Sequence, residues 1–426
     1  MTVSAAILST GDELTTGRIV DTNASWIADR LFEIGVDLAC VVTVGDDRER
    51  LAWAWTQALA RAEVVISTGG IGPTADDLTS EVVAAVLGRP LIEDAAEATR
   101  IRQVFAALGR EMPANNLKQA LVPEGAVIIP NPLGTASGYR VVDGARHLVV
   151  LPGVPREMKP MMEAAVLPWL RGLHGGEEVY VARTFQTFGA TESALDEMVA
   201  GLVDPAEGRL SFRASFPEIS LRVVVRGRPD EAEARVERLA ARLRERLGAH
   251  VYGEGQTTME EVVGRWLGER GLTVAVAESC TGGLVGHRLT NVPGSSAYVL
   301  GAVVAYANSA KTALLGVRTE TLRAHGAVSD ETAAEMAAGV RRAFGAALGL
   351  STTGIAGPDG GTPEKPVGTV HLGLAWDGGS VTHRYQLWGT REWVKLLTSQ
   401  VALDWLRRHA LGLPVTESRL FRPKRP

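Results

Sequence analysis

Cysteine is all but missing. The 426 residues hold two, Cys40 and Cys280, far apart in the chain. That excludes a disulfide framework and a cysteine metal site, and it fits a reducing compartment. No long apolar run is present either, so nothing reaches the roughly 20 residues that a membrane span requires. The first residues show no charged segment followed by an apolar core, the pattern of a secretory signal. Charge of one sign is also scarce: the net charge is −5, which leaves no overall basic footprint for nucleic acid. No Cys-His or Ser-His-Asp set stands at a recognisable spacing. The expectation is a cytoplasmic, soluble chain without a membrane partner. What remains is ordinary globular composition, 46% hydrophobic and 22% charged. At ~100–200 residues per domain, this length predicts two to four domains.

The most informative stretch is Glu278-Ser279-Cys280-Thr281-Gly282-Gly283. Residues 273–277 before it are apolar and β-branched and read as a buried strand. Residues 284–289 after it read as the start of a helix. A strand that turns through small hydroxyl and glycine residues into a helix leaves free backbone N–H groups at the helix start. Such donors suit a phosphate or a carboxylate. An ordinary strand–helix turn has the same look.

Residues 3–8, 36–44 and 64–67 read as strands, with a helix between the first two. In that helix Trp26, Ile27, Leu31 and Ile34 share one face, and Gly35 is a good C-cap. Alternating strands and helices predict a parallel sheet with helices on both faces, whose ligands bind at the carboxyl ends of the strands. Two loops fall at that edge: Gly11-Asp12-Glu13, and the run from Gly69 through Gly70 and Gly72 to Asp76-Asp77. The glycines make room and offer N–H donors to phosphate. Asp76 and Asp77, with Asp12 and Glu13 near, have the hard oxygen ligands that a divalent cation takes, though either aspartate can equally cap the next helix. Lys118 reads as a phosphate contact or a solvated surface charge.

The middle of the chain, residues 172–255, reads as β-α-β-β-α-β, a small α+β domain. Residues 173–177 are its linker. Residues 229–247 form its strongest amphipathic helix, with Val236, Leu239, Leu243 and Leu247 inward. No GXXG loop is present, and the charges from Glu231 to Arg246 are of mixed sign. Nucleic-acid binding is therefore not expected.

In the last third, residues 257–270, 308–315, 328–347 and 392–408 read as helices. Residues 272–277 and 349–353 read as strands, residues 367–376 and 381–387 as a hairpin, and residues 298–306 as partly strand. The tail from residue 414 is basic and proline-containing, and disorder is expected there. Ser296 sits in a small-residue turn, Gly294-Ser295-Ser296, and is a candidate nucleophile if a base takes its proton. Lys311 is a candidate base if burial lowers its pKa. A straight strand between them would hold them roughly 20 Å apart, so the pair requires residues 296–300 to double back. A capping serine and a surface lysine are the plain alternative.

Several separated motifs resemble one family. Gly11-Asp12-Glu13-Leu14, Asp21-Thr22-Asn23, residues 68–79, Gly134-Thr135-Ala136 and residues 151–158 resemble the molybdopterin-binding fold in the branch found in CinA proteins. The middle domain is similar to the KH-type domain of that family. Residues 277–283 and 293–296, Tyr306, Asn308, Lys311, residues 326–329 and 354–361, and Lys365-Pro366-Val367-Gly368-Thr369 look like the CinA C-terminal domain, a nicotinamide mononucleotide deamidase family. The resemblance implies an α/β chain with a three-layer α/β/α domain at 1–171, the KH-type domain at 172–255, and an α/β deamidase domain at 256–413. It implies a serine–lysine pair at Ser296 and Lys311. Tyr306, Thr353 and Arg391 fall at other active-site positions, while Ser279, Thr281, Gly282, Gly283 and Gly354 would lie against the substrate. It further implies an ADP-ribose pyrophosphatase in the first domain. That head would use cobalt, manganese or magnesium held by Asp12, Glu13, Asp76 and Asp77. The deamidase would need no metal, and a homodimer is implied. One departure is Ser137, where the family usually has proline, which predicts a looser loop. The family's name also raises another function, a scaffold for competence or DNA-damage responses.

Overall fold

A computed structural model of the chain describes residues 3–173 and 178–416. Most of the predicted linker, residues 174–177, and the tail from residue 417 lie outside the described residues. The chain forms two compact units, Met1–Ala182 with Val225–Arg235, and Arg183–Val224 with Val236–Pro426.

The first unit is built on a six-stranded sheet in the order β2-β1-β3-β8-β7-β6. Strands β1 (Ser4–Thr10), β2 (Asp37–Val44) and β3 (Val64–Thr68) run parallel, as expected. Short strands β4 (Leu91–Glu93) and β5 (Leu121–Pro123) pair apart from this sheet. The parallel expectation fails for β6 (Val127–Ile129) and β7 (Gly138–Asp143), which lie antiparallel beside β8 (Arg146–Leu151). The cause is local. Asp143 pairs with Arg146 across a two-residue turn, and Gly144 takes the positive φ of 58° that such a hairpin turn requires.

Apolar cores cover both faces of this sheet. Ile27 and Leu31 of the helix Thr22–Glu33 fill one, and Leu51 and Trp55 of the helix Arg48–Leu59 fill the other. The predicted N-cap forms: Asp21 accepts the Ala24 amide at 2.9 Å. Register then fixes where the loops meet. Thr10 pairs with Val44, Ser9 with Thr68, and Thr68 with Leu151. The carboxyl ends of four parallel strands therefore finish level, and Gly11, Gly45, Gly69 and Pro152 follow them at one edge.

The second unit holds two sheets. One contains β9 (Val179–Thr187), β10 (Arg209–Ser215), β11 (Glu218–Gly227) and β12 (Val251–Glu254) in the order β10-β11-β9-β12. With the helices Glu192–Val199 and Pro229–Leu247 it has the β-α-β-β-α-β order read from the sequence. The other contains β13 (Val274–Glu278), β14 (Val299–Val304), β15 (Leu348–Gly354), β16 (Thr369–Trp376) and β17 (Gly379–Gln386), in the order β14-β13-β15-β16-β17. Its first three strands are parallel, and β16 and β17 add as the predicted hairpin.

Helices Met259–Glu269, Leu284–Thr290 and Arg391–Ala410 cover one face of this sheet, and Asn308–Leu315 and Asp330–Phe344 cover the other. Thr258 opens the first of them with a full capping box to Glu261. The short helix Thr319–His325 had no sequence signal. Helix Arg391–Ala410 is buried almost all round, and it carries Asp404 between Arg407 and Arg408 at 2.7 and 2.8 Å. Arg407 also donates to the carbonyl oxygen of Ala249, which ties this helix to the end of the middle domain.

Candidate functional site

In the second unit the carboxyl ends of β13, β14 and β15 meet. Glu278 pairs with Val304 on one side and with Thr352 on the other. Ser279, Ala305 and Thr353 therefore follow as neighbours. Lys311, in the second turn of Asn308–Leu315, reaches back under them and is 1% exposed. Its Nζ donates to Ser279 Oγ at 3.1 Å, to the Ala305 carbonyl at 2.8 Å and to the Tyr306 carbonyl at 3.1 Å. Burial pushes its pKa down from the ordinary lysine value. Among these three partners, the two carbonyl oxygens can only accept. Ser279 alone can give a proton to a neutral amine.

The expected pairing of Lys311 with Ser296 is not formed within the chain. Ser296 lies in a single 3₁₀ turn, Ser295–Ala297, just before β14. Tyr298 already accepts the Val274 amide at 2.7 Å, and Val299 pairs with Val274, the first residue of β13. Ser296 is thus exposed at the amino end of the sheet, while Lys311 works at the carboxyl end. The strand between them has six residues at about 3.3 Å each, roughly 20 Å in all. The turn that was to double back stays at the wrong end.

The phosphate cradle expected at Gly282 and Gly283 is also taken. The carboxylate of Glu278, fully buried, accepts the amides of Gly283 at 2.9 Å, Val285 at 3.1 Å and Gly286 at 2.8 Å. The Gly282 amide donates to the Ser279 carbonyl. The chain supplies its own anion to the start of helix Leu284–Thr290, so these donors are spent. Glu278 was visible in the motif, but nothing in its spacing said where its side chain turned.

The remaining candidates divide. Thr281 Oγ1 shares a hydrogen bond with Thr352 at 2.7 Å, and Thr353 Oγ1 donates to the Ala327 carbonyl at 2.7 Å, so both are structural bonds beneath the edge. Gly354 ends β15 tight against Val370 and Thr369. Arg391 donates to the Tyr306 hydroxyl and to the Gly357 carbonyl, each at 2.8 Å, and so binds the β14 edge to the loop after β15. Lys395, missed in the sequence, brings its amine beside Gly282. It lies one turn after Arg391 on the same helix, a spacing that carries no signal by itself. Burial pushes the Cys280 thiol up to about 12, which removes it as a thiolate nucleophile at neutral pH.

In the first unit, a cleft of about 620 Å³ opens at the carboxyl edge. Glu13, Asp46, Gly69, Gly70, Gly72, Asp76 and Asp77 line it. Gly69 and Gly70 have φ of 101° and 68°, and a Cβ on either would strike Thr10 or Thr79. Asp12 and Asp46 hold each other's loops: the Asp12 amide donates to Asp46, and the Asp46 amide to Asp12, at 3.0 and 3.1 Å. Burial, then the charges of Asp12, Glu13 and Asp76, push the Asp46 carboxyl up.

Asp46 was missed because it follows β2 rather than a glycine-rich run. Asp77 accepts the Thr74 amide at 2.8 Å and its hydroxyl at 2.5 Å. Lys118 is held by the Thr74 carbonyl at 3.1 Å and by Glu81 at 3.3 Å. Ser137, at the predicted loose point, accepts the Asn131 amide at 3.3 Å and so steadies that loop.

Of the carboxylates expected to hold a metal, Glu13, Asp76 and Asp77 line this cleft, while Asp12 turns its carboxylate to the Asp46 amide. Even so, among the described residues no three Asp, Glu, His or Cys side chains converge into a ligand set. The arrangement does not fit a divalent cation as it stands. Three other atoms do point to a ligand. Thr10 Oγ1, Asp21 Oδ2 and Asn23 Oδ1 are buried at this cleft with no hydrogen-bond partner among the described residues. No described helix is long and apolar enough to cross a membrane.

Comparison with known proteins matches three family models in order: a probable molybdopterin binding domain over residues 6–172, the damage-inducible protein CinA KH domain over 182–253, and the CinA C-terminal domain over 256–410. A CinA-like protein of Geotalea uraniireducens is 41% identical over 97% of this chain and 99% of its own length. A putative competence-damage inducible protein of Halothermothrix orenii is 42% identical over 95% and 98%. Among solved structures, the protein CinA of Thermoplasma acidophilum is 34% identical over 38% of this chain and 95% of that one, with a TM-score of 0.37.

Proposed function

The chain belongs to the CinA family, and from that premise we propose that its carboxyl-terminal domain hydrolyses nicotinamide mononucleotide to nicotinic acid mononucleotide and ammonia. One observation carries this reading: a buried lysine with a lowered pKa and, among its hydrogen-bond partners in the described residues, a serine hydroxyl as the one that can give a proton. Hydrolysing a carboxamide requires an oxygen to attack its carbon, that oxygen to lose its proton, and the departing nitrogen to gain one. Lys311 serves both transfers, receiving the proton through Ser279 and returning it to the leaving ammonia. Arg391 and Lys395 are the cations beside this edge and supply the counter-charge for the 5′-phosphate.

The test is ammonia release from nicotinamide mononucleotide by the full chain. Lys311→Ala and Ser279→Ala should each lose about 10²- to 10⁴-fold in kcat. Wild-type rates in either variant would defeat the assignment.

For the amino-terminal domain we propose binding and cleavage of ADP-ribose. The unpartnered Thr10 and Asn23 oxygens and the glycine-lined wall of the cleft support this reading. Titration of ADP-ribose into the chain, alone and with cobalt, manganese or magnesium, tests it. Asn23→Ala should bind several-fold more weakly, with product formation followed in parallel. No binding under any of the four conditions would remove the reading.

A further inference from the structure

The hairpin of β10 and β11 belongs to the middle domain, yet its tip rests on the helix that carries Arg391 and Lys395. Phe216, in the turn, stacks on Trp393 with ring centroids 4.2 Å apart and planes 25° apart. Glu218, the first residue of β11, accepts the side-chain amide of Gln400 at 2.7 Å. Trp393 and Gln400 stand seven positions apart, so they form one stripe along the helix. Arg391 and Lys395 stand four apart and share another, with Arg391 roughly 200° around the axis from Trp393. The helix thus gives one flank to the middle domain and a different one to the edge where Lys311 and Ser279 meet.

Trp393 is fixed from a second side as well. Gly389, with φ of 97°, lies so close that an added Cβ would come within 2.8 Å of the indole, and Thr390, the helix N-cap, accepts the Trp393 amide at 3.4 Å. Behind Gln400, Arg288 donates to its side-chain oxygen at 2.6 Å, to Ser399 at 3.0 Å and to Glu260 at 2.8 Å. Arg288 belongs to helix Leu284–Thr290, which starts at the Gly282-Gly283 turn. Phe188 and Tyr252 of the middle domain enter the same apolar core as Val394, Leu397 and Val401. Trp393 and Arg391 are two positions apart on one helix, so a displaced indole displaces the guanidinium and its bonds to Tyr306 and Gly357.

We propose that the middle domain braces the deamidase site, with Phe216 setting, through Trp393, where Arg391 and Lys395 stand against the substrate phosphate. This rests on the deamidase reading above. Phe216 touches no reacting group and is a positioning residue. Its loss acts on binding of the phosphate, which is the same before and during the reaction, so KM carries the effect and kcat does not. The role requires no nucleic acid, in keeping with a middle domain that has no GXXG loop.

Steady-state ammonia release by the full chain tests it. Both rings keep an open face, Phe216 38% and Trp393 45% exposed, so truncating Phe216 leaves no core cavity. Phe216→Ala should raise KM for nicotinamide mononucleotide about 3- to 10-fold, the range a lost aromatic stack supplies, with kcat held within about twofold. Phe216→Tyr keeps the ring and should keep the wild-type KM. In a chain that already carries Arg391→Ala and Lys395→Ala, Phe216→Ala should add less than about twofold, because a residue that acts through others has nothing left to act on. An unchanged KM in Phe216→Ala, or losses that multiply in the combined variant, overturns the proposal. Hydrogen exchange followed by mass spectrometry reads the brace without turnover. Phe216→Ala should speed exchange over residues 393–397 and leave residues 259–269 at the wild-type rate. Unchanged exchange over 393–397 also overturns the proposal. A chain that never acts on nicotinamide mononucleotide sinks the substrate reading, and hydrogen exchange alone then decides whether the brace exists.

Discussion

Lys311 shows what burial does to one residue. Its side chain is as hidden as the core leucines, yet it keeps three polar partners, so its ammonium is hydrogen-bonded while losing most of its hydration. Its folded pKa lies below the ordinary 10.5, and between those two values the unfolded chain binds more protons than the folded one. Stability therefore gains from this group as pH rises through that window. In urea titrations at several pH values, the wild type should gain on Lys311→Met from neutral pH toward 10.5, and the gain should level off above it. A flat difference would mean that the amine titrates normally. Ammonia release should rise with pH over the low side of the same window, since the base must be neutral. The amino-acid sequence offered Lys311 as a base, but its serine partner depended on where β14 begins and ends.

At the scale of the element, the turn from β13 into helix Leu284–Thr290 reverses a common inference. Glycines and small hydroxyl residues ahead of a helix read as an anion site. Here the anion is Glu278, and three amides of the helix start already point at it. The motif's spacing served to hold the turn rather than a phosphate. Removing the carboxylate leaves three buried donors without an acceptor. Glu278→Ala should lower the unfolding free energy by about 3 kcal/mol or more, from hydrogen bonds to a charged group at ~1.5–3 kcal/mol each with incomplete additivity. Chemical denaturation measures it, and a loss below about 1 kcal/mol would show that water replaces the carboxylate.

On the scale of the molecule, the same device appears once in each unit. A parallel sheet ends level, and its loops gather the candidate residues at the carboxyl edge. Within the second unit, the long helix Arg391–Ala410 does two jobs. Its start holds Tyr306 and the loop after β15 through Arg391, and its end is anchored by Arg407 on Ala249. Asp404, 4% exposed, balances Arg407 and Arg408, both nearly as buried. Asp404→Ala would strand two buried cations, at a cost of about 3–5 kcal/mol. The loss should be visible as a lowered unfolding midpoint of the full chain. Restoring stability with Asp404→Ala, Arg407→Met and Arg408→Met together would confirm that the cost is charge rather than packing.

The order of strands and helices, three successive domains and the glycine loops at strand ends followed from the sequence alone, because periodicity and turn chemistry are local properties. The antiparallel β6 and β7, the Asp12–Asp46 pairing and the acceptor for the Leu284–Thr290 amides did not. Each depends on which distant segment lies alongside. Ser296 and Lys311 mark the division most sharply. Their residue types and their spacing of one strand were plain in the chain. Only the register of β14 against β13 decided that they face opposite ends of the sheet, because a strand that pairs along its whole length cannot bring its two ends together.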